Sequence, residues 1–175
     1  MTNKIKKIFS GQNLEGKDFS EQNLHNADFS NAKLKNANFS GANLLKANLE
    51  KADLSYSNLK NCSLWRANLE WSDLQHANLE NVNLYRARLE GANLTNSNLN
   101  GANFGSQDMH GINFCGANLE NSKLCYAIFR QCDFSNTNFT NADFTGTLFQ
   151  DCIYKNSNIS KCSDSGTLSY GSDTF

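Results

Sequence analysis

The segment GANLLKANLE, residues 41–50, contains two copies of a five-residue unit in which a small residue, Asn and Leu follow one another. The unit repeats without a break from Phe9 to Ile159, where every fifth residue is a bulky hydrophobe: 17 Leu, 11 Phe and one each of Met, Tyr and Ile. The residue two places earlier is Ala, Ser, Cys or Thr in 24 of these 31 units, and the residue between is Asn or Asp in 23. Such self-similarity is typical of a repeat architecture.

A period of five suits neither an α-helix nor a straight strand. Five residues of helix turn through about 500°, so the hydrophobes would spiral around all sides. Side chains of a strand alternate with a period of two, so successive Leu residues would point to opposite faces. The conflict disappears if each unit consists of three extended residues and a two-residue corner. Ala42 and Leu44 then point inward and Asn43 outward, while corner pairs rich in Gly, Asn and Ser turn the chain.

The runs GANLLKANLE at 41–50 and NADFT at 141–145 resemble the consensus Ala-Asp/Asn-Leu-x-x of the pentapeptide-repeat family. The resemblance covers about residues 9–162. It implies an all-β fold, a right-handed quadrilateral β-helix of about eight four-sided coils without inserted loops. With strands ~4.8 Å apart, the stack would be ~37 Å long. Matches twenty residues apart, such as Phe9 and Phe29, support a coil of four units.

The unbroken period predicts one solenoid domain. Residues 1–8 are interpreted as a basic lead-in, 9–162 as the β-helix and 163–175 as a polar tail that is docked or disordered. Residues 9–22 are predicted to form a polar capping coil, which shields the first sheet edge from pairing with other chains. The small inward position around this coil holds Lys or Gln instead of Ala, at Lys7, Gln12, Lys17 and Gln22.

Composition narrows the classes of partner. The chain has 175 residues and a net charge of −1, which favours neither direct nucleic-acid binding nor a strong nucleic-acid mimic. There is no apolar run long enough to span a bilayer and no hydrophobic core of a signal peptide. We therefore expect a cytoplasmic protein without a membrane or nucleic-acid partner.

Cysteine positions favour packing over cross-linking. Cys62, Cys132, Cys152 and Cys162 stand in the small inward position, where Cys acts as a slightly larger Ala. Only Cys132 and Cys152 are expected to stack, and their Cβ separation of ~4.8 Å exceeds the usual ~3.8 Å of a disulfide. Reduced thiols are favoured, and oxidation of this pair is left as the alternative.

Catalytic signals are missing from the sequence, which has no phosphate loop, nucleophile elbow or His/Cys metal spacing. A core filled by the repeat hydrophobes leaves no cavity for a substrate. We expect no enzyme activity and no catalytic, cofactor or metal site. The predicted column of Glu50, Glu70 and Glu90 could serve acid/base chemistry or bind a cation, but solvated corner residues are favoured.

Two groups of outward residues depart from the polar pattern. The first is a candidate partner-binding surface of aromatic and basic residues, the types enriched in binding hot spots. It comprises Leu45, Trp65 and Tyr85 in one column, Arg66 and Arg86 beside them, and Trp71 on the next corner of the coil. The alternative is that the aromatic residues only stabilise neighbouring coils, with Arg covering the ring faces.

The second group is aliphatic and lies near the C-terminus. Ile128 and Leu148 share a predicted column, and Ile153 follows on the next side. An exposed apolar patch of this kind needs a cover. Either the tail, through Leu168, Tyr170 and Phe175, or a second copy of the chain covers it, and the tail is favoured. The chain is accordingly expected to be a monomer or a weak homodimer through this region.

The resulting functional hypothesis is a non-enzymatic rigid scaffold that binds an unidentified protein partner. Many bacterial members of the family have no assigned biochemical activity. The alternative is the quinolone-resistance branch, whose members resemble B-DNA and act on DNA gyrase and topoisomerase IV. Those proteins are typically strongly acidic, dimerise through a C-terminal helical element and often carry loops between coils. Three departures from that pattern disfavour this alternative: a nearly neutral charge, no evident terminal helix and no break in the period.

Overall fold

The computed structural model describes residues 7–159, which form a solenoid of four-sided coils. Backbone pairing is parallel throughout, and a paired residue bonds to the residue twenty positions later, as Asn38 does to Asn58 and Asn58 to Asn78. Four five-residue units therefore complete one coil. The predicted period of twenty and the all-β, right-handed quadrilateral β-helix are confirmed.

In most five-residue units a single residue pairs with the neighbouring coils. Three units on one side of the solenoid form longer, three-residue strands. These are β1 (Asp108–His110), β2 (Ile128–Arg130) and β3 (Leu148–Gln150). They form a parallel sheet in the order β1-β2-β3. Met109, Phe129 and Phe149 are in register across it.

We name the faces of the solenoid by the outward residues of their units, which recur every twenty positions. Face A carries Ile8, Asp28, Asn48, Asn68, Arg88, Asp108, Ile128 and Leu148. Face C, on the opposite side, carries Asp18, Asn38, Asn58, Asn78, Asn98, Asn118, Asn138 and Asn158. Faces B and D lie between them, and include Ile153 and Asn83 respectively.

The central hydrophobe of each unit and its small partner fill the interior. From Leu24 to Phe149 all the central hydrophobes are at most 6% exposed. Rings stack on those of the next coil, with centroids 4.7 Å apart for Phe9 and Phe29. Each buried side chain of this size contributes about 1.5–3 kcal/mol through removal of apolar surface from water. The repeat therefore stabilises the stack from within.

Corners follow one backbone plan. In every described unit except the one after Phe104, the second corner residue is left-handed, with φ between 52° and 69°. The next residue closes the turn through its N–H, as Ala47 does to the Leu44 carbonyl at 2.9 Å. This conformation costs an ordinary L-residue about 1–2 kcal/mol, which explains why Gly and Asn are frequent there.

Face C carries a continuous asparagine ladder. Each side-chain amide donates to the residue one coil earlier, over seven bonds of 3.0–3.5 Å that run from Asn158 to Asp18. The acceptor oxygen also receives a backbone N–H two residues later, as Asn58 Oδ1 does from Lys60 at 3.2 Å. One side chain thus fixes the corner that follows it and the coil beside it.

Polar side chains of the first coil lie against its own backbone. Lys7 Nζ donates to the Asn23 carbonyl at 3.2 Å, and Gln12 Nε2 donates to the Ile8 carbonyl at 3.2 Å. The assignment of residues 9–22 as a cap stays a prediction, as do the domain limits. The tail at 163–175 lies outside the described residues. Within 7–159 there is no helix of the length and apolarity needed to cross a bilayer.

Candidate interaction surface

Trp65 and Tyr85 occupy one corner column, as predicted from their spacing, at the boundary between faces D and A. The guanidinium of Arg66 lies 5.2 Å from the ring centroid of Trp65, and that of Arg86 lies 5.2 Å from the ring of Tyr85. Arg–ring pairs therefore build this column, each worth about 0.5–1 kcal/mol at an exposed site.

Trp71 lies on the other corner that bounds face A. Its ring covers Gly91 of the next coil so closely that a side chain at this glycine would collide with it. Tyr85 covers Gly105 in the same way. Trp71 and Tyr85 thus each pack against the neighbouring coil. Trp65 has no glycine beneath it and is 36% exposed, whereas Leu45 in the same column is half-buried.

Face A carries charged pairs that cross from coil to coil. Arg88 donates through Nε to Glu70 Oε1 at 2.7 Å, and its Nη2 lies 2.6 Å from the same oxygen. Arg130 Nε donates to Asp108 Oδ1 at 3.1 Å, and Arg130 Nη1 donates to Gln150 Oε1. Long side chains of both signs therefore replace the short amides of face C here.

A groove of about 470 Å³ opens in face A between two consecutive coils. Its walls carry three cationic and three anionic side chains: Arg86, Arg88, Arg130, Glu70, Glu90 and Asp108. Of the predicted partner-binding residues, Arg86 lines this groove, and Trp71 packs against Gly91 beside the lining residue Glu90. The sequence did not reveal this concave site.

The groove coincides with a break in the backbone ladder. Between the preceding pair of coils the ladder is complete. The N–H groups of Arg66, Leu69 and Arg88 donate across that gap to the facing coil, at 3.2, 2.7 and 2.9 Å. In the described residues no backbone bond joins Arg86–Leu89 to Gly105–Asp108. Pairing resumes immediately afterwards, where Met109 is in register with Phe129. The break is therefore local.

Gln107 accounts for this break. It stands in the small inward position of its unit, and its side-chain Oε1 is buried without a hydrogen-bond partner in the described residues. Its Nε2 reaches only the sulfur of Met109, at 3.6 Å. The preceding corner also differs, since Gly105 and not Ser106 is left-handed.

Gln12 and Gln22 stand in the same position as Gln107, in the first coil, where they are exposed, and their carbonyls keep ladder bonds of 2.9 Å. We therefore attribute the break to an amide that is enclosed between two coils without a partner for its oxygen. The sequence shows Gln107 as an oversized polar residue in the small position, which by itself does not predict a break.

The Glu50, Glu70 and Glu90 column does not form a carboxylate cluster. Glu50 lies 3.5 Å from Lys51, and Glu70 is paired with Arg88. The part of the chain that the structure describes contains no group of three or more His, Cys, Asp or Glu able to hold a metal.

The aliphatic residues near the C-terminus lie as their spacing predicts. Ile128 and Leu148 are register partners in β2 and β3, and both are half-buried. Ile153 is 57% exposed on neighbouring face B. The tail residues Leu168, Tyr170 and Phe175 lie outside the described residues, so a tail that covers this patch stays a prediction.

All five described cysteines are free thiols. Burial raises the pKa of Cys62 to about 12. A hydrogen bond to Cys152, together with burial, raises the pKa of Cys132 above its ordinary value. Both Cys62 and Cys132 are therefore protonated at neutral pH and pack as neutral side chains. Oxidation of the Cys132–Cys152 pair stays open as an alternative.

Solved structures of similar proteins include HetL, a pentapeptide repeat protein involved in heterocyst differentiation regulation in the cyanobacterium Nostoc sp. strain PCC 7120. It is 21% identical over 95% of this chain and 93% of its own, with a TM-score of 0.35. QnrB1, a plasmid-mediated fluoroquinolone resistance protein, is 17% identical over 94% and 92%, with a TM-score of 0.48. A pentapeptide repeat protein of the Arabidopsis thaliana thylakoid lumen is 38% identical over 63% and 67%, with a TM-score of 0.30.

No curated protein is significantly similar to the chain in sequence. The family profile described as pentapeptide repeats matches residues 9–41, 32–70 and 62–101. A second profile, described as a pentapeptide repeat region, matches residues 82–159. Together the matches cover nearly all of the described solenoid, and the chain belongs to the pentapeptide-repeat family.

Proposed function

We propose that this repeat scaffold is a non-enzymatic protein that binds a protein partner through the surface around face A. The observation that carries the proposal is the exposure of two tryptophans on adjacent corners of one coil. Trp65 is 36% exposed and Trp71 is 58% exposed, in a fold whose interior holds the repeat hydrophobes. We call the set of Leu45, Trp65, Arg66, Trp71, Tyr85 and Arg86 the aromatic–basic surface. Trp, Tyr and Arg are the residues most enriched among binding hot spots.

The scaffold holds this surface rigid. Below the break, backbone bonds of 2.7–3.2 Å tie each coil to the next, and the Arg–ring pairs fix the side chains. A surface that is ordered before binding loses little conformational entropy on association. Rigidity therefore supports binding by an otherwise flat solenoid face.

The net charge of −1 gives no support to the DNA-mimic alternative. A mimic of B-DNA needs a strongly acidic surface, because duplex DNA carries one negative charge per ~1.7 Å of axis. Face A instead presents three Arg side chains beside three carboxylates. We therefore propose a partner that recognises mixed charge and aromatic rings.

The experiment is affinity capture from the native host with wild type and with a Trp65/Arg66/Tyr85 triple alanine variant. The partner identified is then titrated against Trp65→Ala. We expect at least a tenfold loss of affinity, while the free energy of unfolding falls by no more than the ~0.5–1 kcal/mol of the lost Arg66–ring pair, because Trp65 covers no glycine. Tyr56→Ala is the control, since Tyr56 is 53% exposed and lies on the corner between faces B and C, across the coil from Trp65. A Trp65→Ala protein that melts earlier but binds normally contradicts the proposal.

We also propose that the aliphatic patch of Ile128, Leu148 and Ile153 is covered by the C-terminal tail, or in its place by a second copy. Truncation after Cys162 then exposes apolar surface to a fluorescent dye or changes the oligomeric state seen by light scattering. If neither changes, the patch needs no cover and this part of the proposal is wrong.

A further inference from the structure

We propose that the groove in face A binds an extended peptide segment of the partner, which pairs with the backbone groups left open by the ladder break. The inference rests on the proposed function, since Arg86 of the aromatic–basic surface lines the groove, and it names the part of the partner that is recognised. It also assigns a role to Gln107, which the repeat pattern alone leaves unexplained.

The first support is the set of open backbone groups. Across the break, the N–H groups of Arg86, Leu89 and Asp108 and the carbonyls of Ala87 and Gly105 have no backbone partner among the described residues. On the coils before the break the equivalent groups are paired at 2.7–3.2 Å. A main-chain group left unpaired costs free energy unless something else satisfies it. The groove therefore offers both donors and acceptors, on the segment Arg86–Leu89 and on the facing segment Gly105–Asp108.

An extended peptide satisfies such a mixture. Its own N–H and C=O groups alternate along the chain, which is the basis of recognition by strand addition. A small anion would satisfy only the donors, and it would lie against open carbonyls and the carboxylates of Glu70, Glu90 and Asp108. The chemistry of the walls thus favours a peptide over a phosphate or a carboxylate ligand.

The charged side chains on the groove walls predict the charge pattern of the preferred peptide. Arg88 is already paired with Glu70, and Arg130 with Asp108. Arg86 and Glu90 have no salt-bridge partner within the described residues, and they stand at opposite ends of the open strand. Four extended residues span about 13 Å. The preferred segment therefore carries one acidic and one basic residue about four positions apart, with β-forming residues between them.

The test uses the full-length protein and two sets of capped, fluorescently labelled heptapeptides. One set has Glu at the second position and Lys at the sixth, and the other has the reverse order. The three positions between them vary over Val, Ile, Thr and Tyr. Binding is measured by fluorescence anisotropy, and we expect one charge order to bind at least tenfold more tightly than the other.

Two variants locate the binding. Gln107→Ala restores the residue type of the small position, closes the ladder and is expected to weaken peptide binding at least tenfold while the melting temperature rises. Gln22→Ala is the matched control, because it makes the same substitution in the same position of another coil. The double exchange Arg86→Glu with Glu90→Arg is expected to reverse the preferred charge order, and it remains informative if Gln107→Ala fails to fold.

The inference is overturned if neither peptide set binds at millimolar protein, or if binding is unaffected by both Gln107→Ala and the charge exchange. The captured partner separates this inference from the proposed function. A partner that is lost from Trp65→Ala and retained by Gln107→Ala leaves the proposed function standing and removes the groove from it. If peptide binding depends on Gln107 but capture is unaffected by Trp65→Ala, the groove stands as a peptide site and the proposed role of the aromatic–basic surface is wrong.

Discussion

Face C and face A are opposite sides of the same coils, and they manage their backbones differently. On face C, one residue type recurs from Asn38 to Asn158, and each amide bonds both to the coil before it and to the corner after it. On face A the outward residue changes from Asn68 to Arg88 to Asp108, and the ladder breaks between the last two. The identical side chains of face C hydrogen-bond to one another and leave its backbone ladder complete. The varied side chains of face A accompany open backbone groups, which are available to a ligand.

We expect the largest loss of stability when face C receives a Gln in its small position, as face A has at Gln107. Ala77 is 1% exposed and stands in the small position on face C. Ala77→Gln is expected to lower the free energy of unfolding by about 3 kcal/mol, from overpacking and an unpaired buried amide. Denaturant unfolding measures the change. Ala77→Ser is the control, because Ser57 fits this position and donates to the Leu54 carbonyl at 2.7 Å. A loss no larger than that of Ala77→Ser would contradict our account of Gln107.

The asparagine ladder itself is tested by removal of one member. Asn78 donates to Asn58, and it accepts from Asn98 and from the Glu80 N–H. Asn78→Ala is expected to cost about 2 kcal/mol, at roughly 1 kcal/mol per net hydrogen bond with partial compensation by water.

The control for this ladder is Asn83 on face D. Its Oδ1 accepts only the Tyr85 N–H, at 3.1 Å, among the described hydrogen bonds. Asn83→Ala is expected to cost about 1 kcal/mol. Equal losses in the two variants, measured by thermal or denaturant unfolding, would show that stacking of amides between coils adds nothing to stability.

Repair of face A is expected to have a smaller effect, in the opposite direction. Gln107→Ala removes the unpaired Oε1 and allows the backbone bonds between Arg86–Leu89 and Gly105–Asp108 to form. We expect a gain of about 1 kcal/mol. Hydrogen exchange is the direct readout, because the amides of Leu89 and Asp108 should change from fast to slow exchange. Unchanged exchange at these two amides would show that Gln107 does not cause the break.

The smallest expected effect lies at the end of the ladder on face C. The N–H and hydroxyl of Ser20, and the amide of Asn38, hold the pKa of Asp18 below its ordinary value. Because the folded-state pKa is the lower one, charged Asp18 contributes stability above its unfolded-state pKa and loses it as pH falls through the folded-state pKa. The melting temperature of wild type relative to Asp18→Asn should therefore fall between pH 6 and pH 2. Parallel curves would exclude this contribution.

The sequence was sufficient for the architecture because the same physical demand recurs in every unit. Leu44 and Ala42 must point inward together, and only a corner can reset the direction before Leu49. The ladder break was out of reach because oversized residues in the small position have different outcomes. Val82 is fully buried and the ladder beside it is intact. An apolar excess is absorbed by packing, whereas the amide of Gln107 also needs partners, and their absence is visible only in three dimensions.

The candidate surface was predictable in part for the same reason. Because residues twenty positions apart lie one above the other, the sequence correctly placed Trp65 and Tyr85 in one column. It could not show that Trp71 and Tyr85 cover Gly91 and Gly105, because side-chain direction at a corner depends on the left-handed backbone there. Nor could it show a groove, which arises from backbone that fails to pair.

The twenty-residue register also sets how this molecule can change length. Loss or duplication of a whole coil shifts later residues by about 4.8 Å along the axis and leaves each of them on its own face. Loss of a single five-residue unit would instead rotate everything after it by a quarter turn. The Asn series of face C would then continue on a neighbouring side, out of line with its first half. Members of this fold are therefore expected to gain or lose whole coils of twenty residues. A binding face such as face A then changes its position along the rod while its residues keep their relative arrangement.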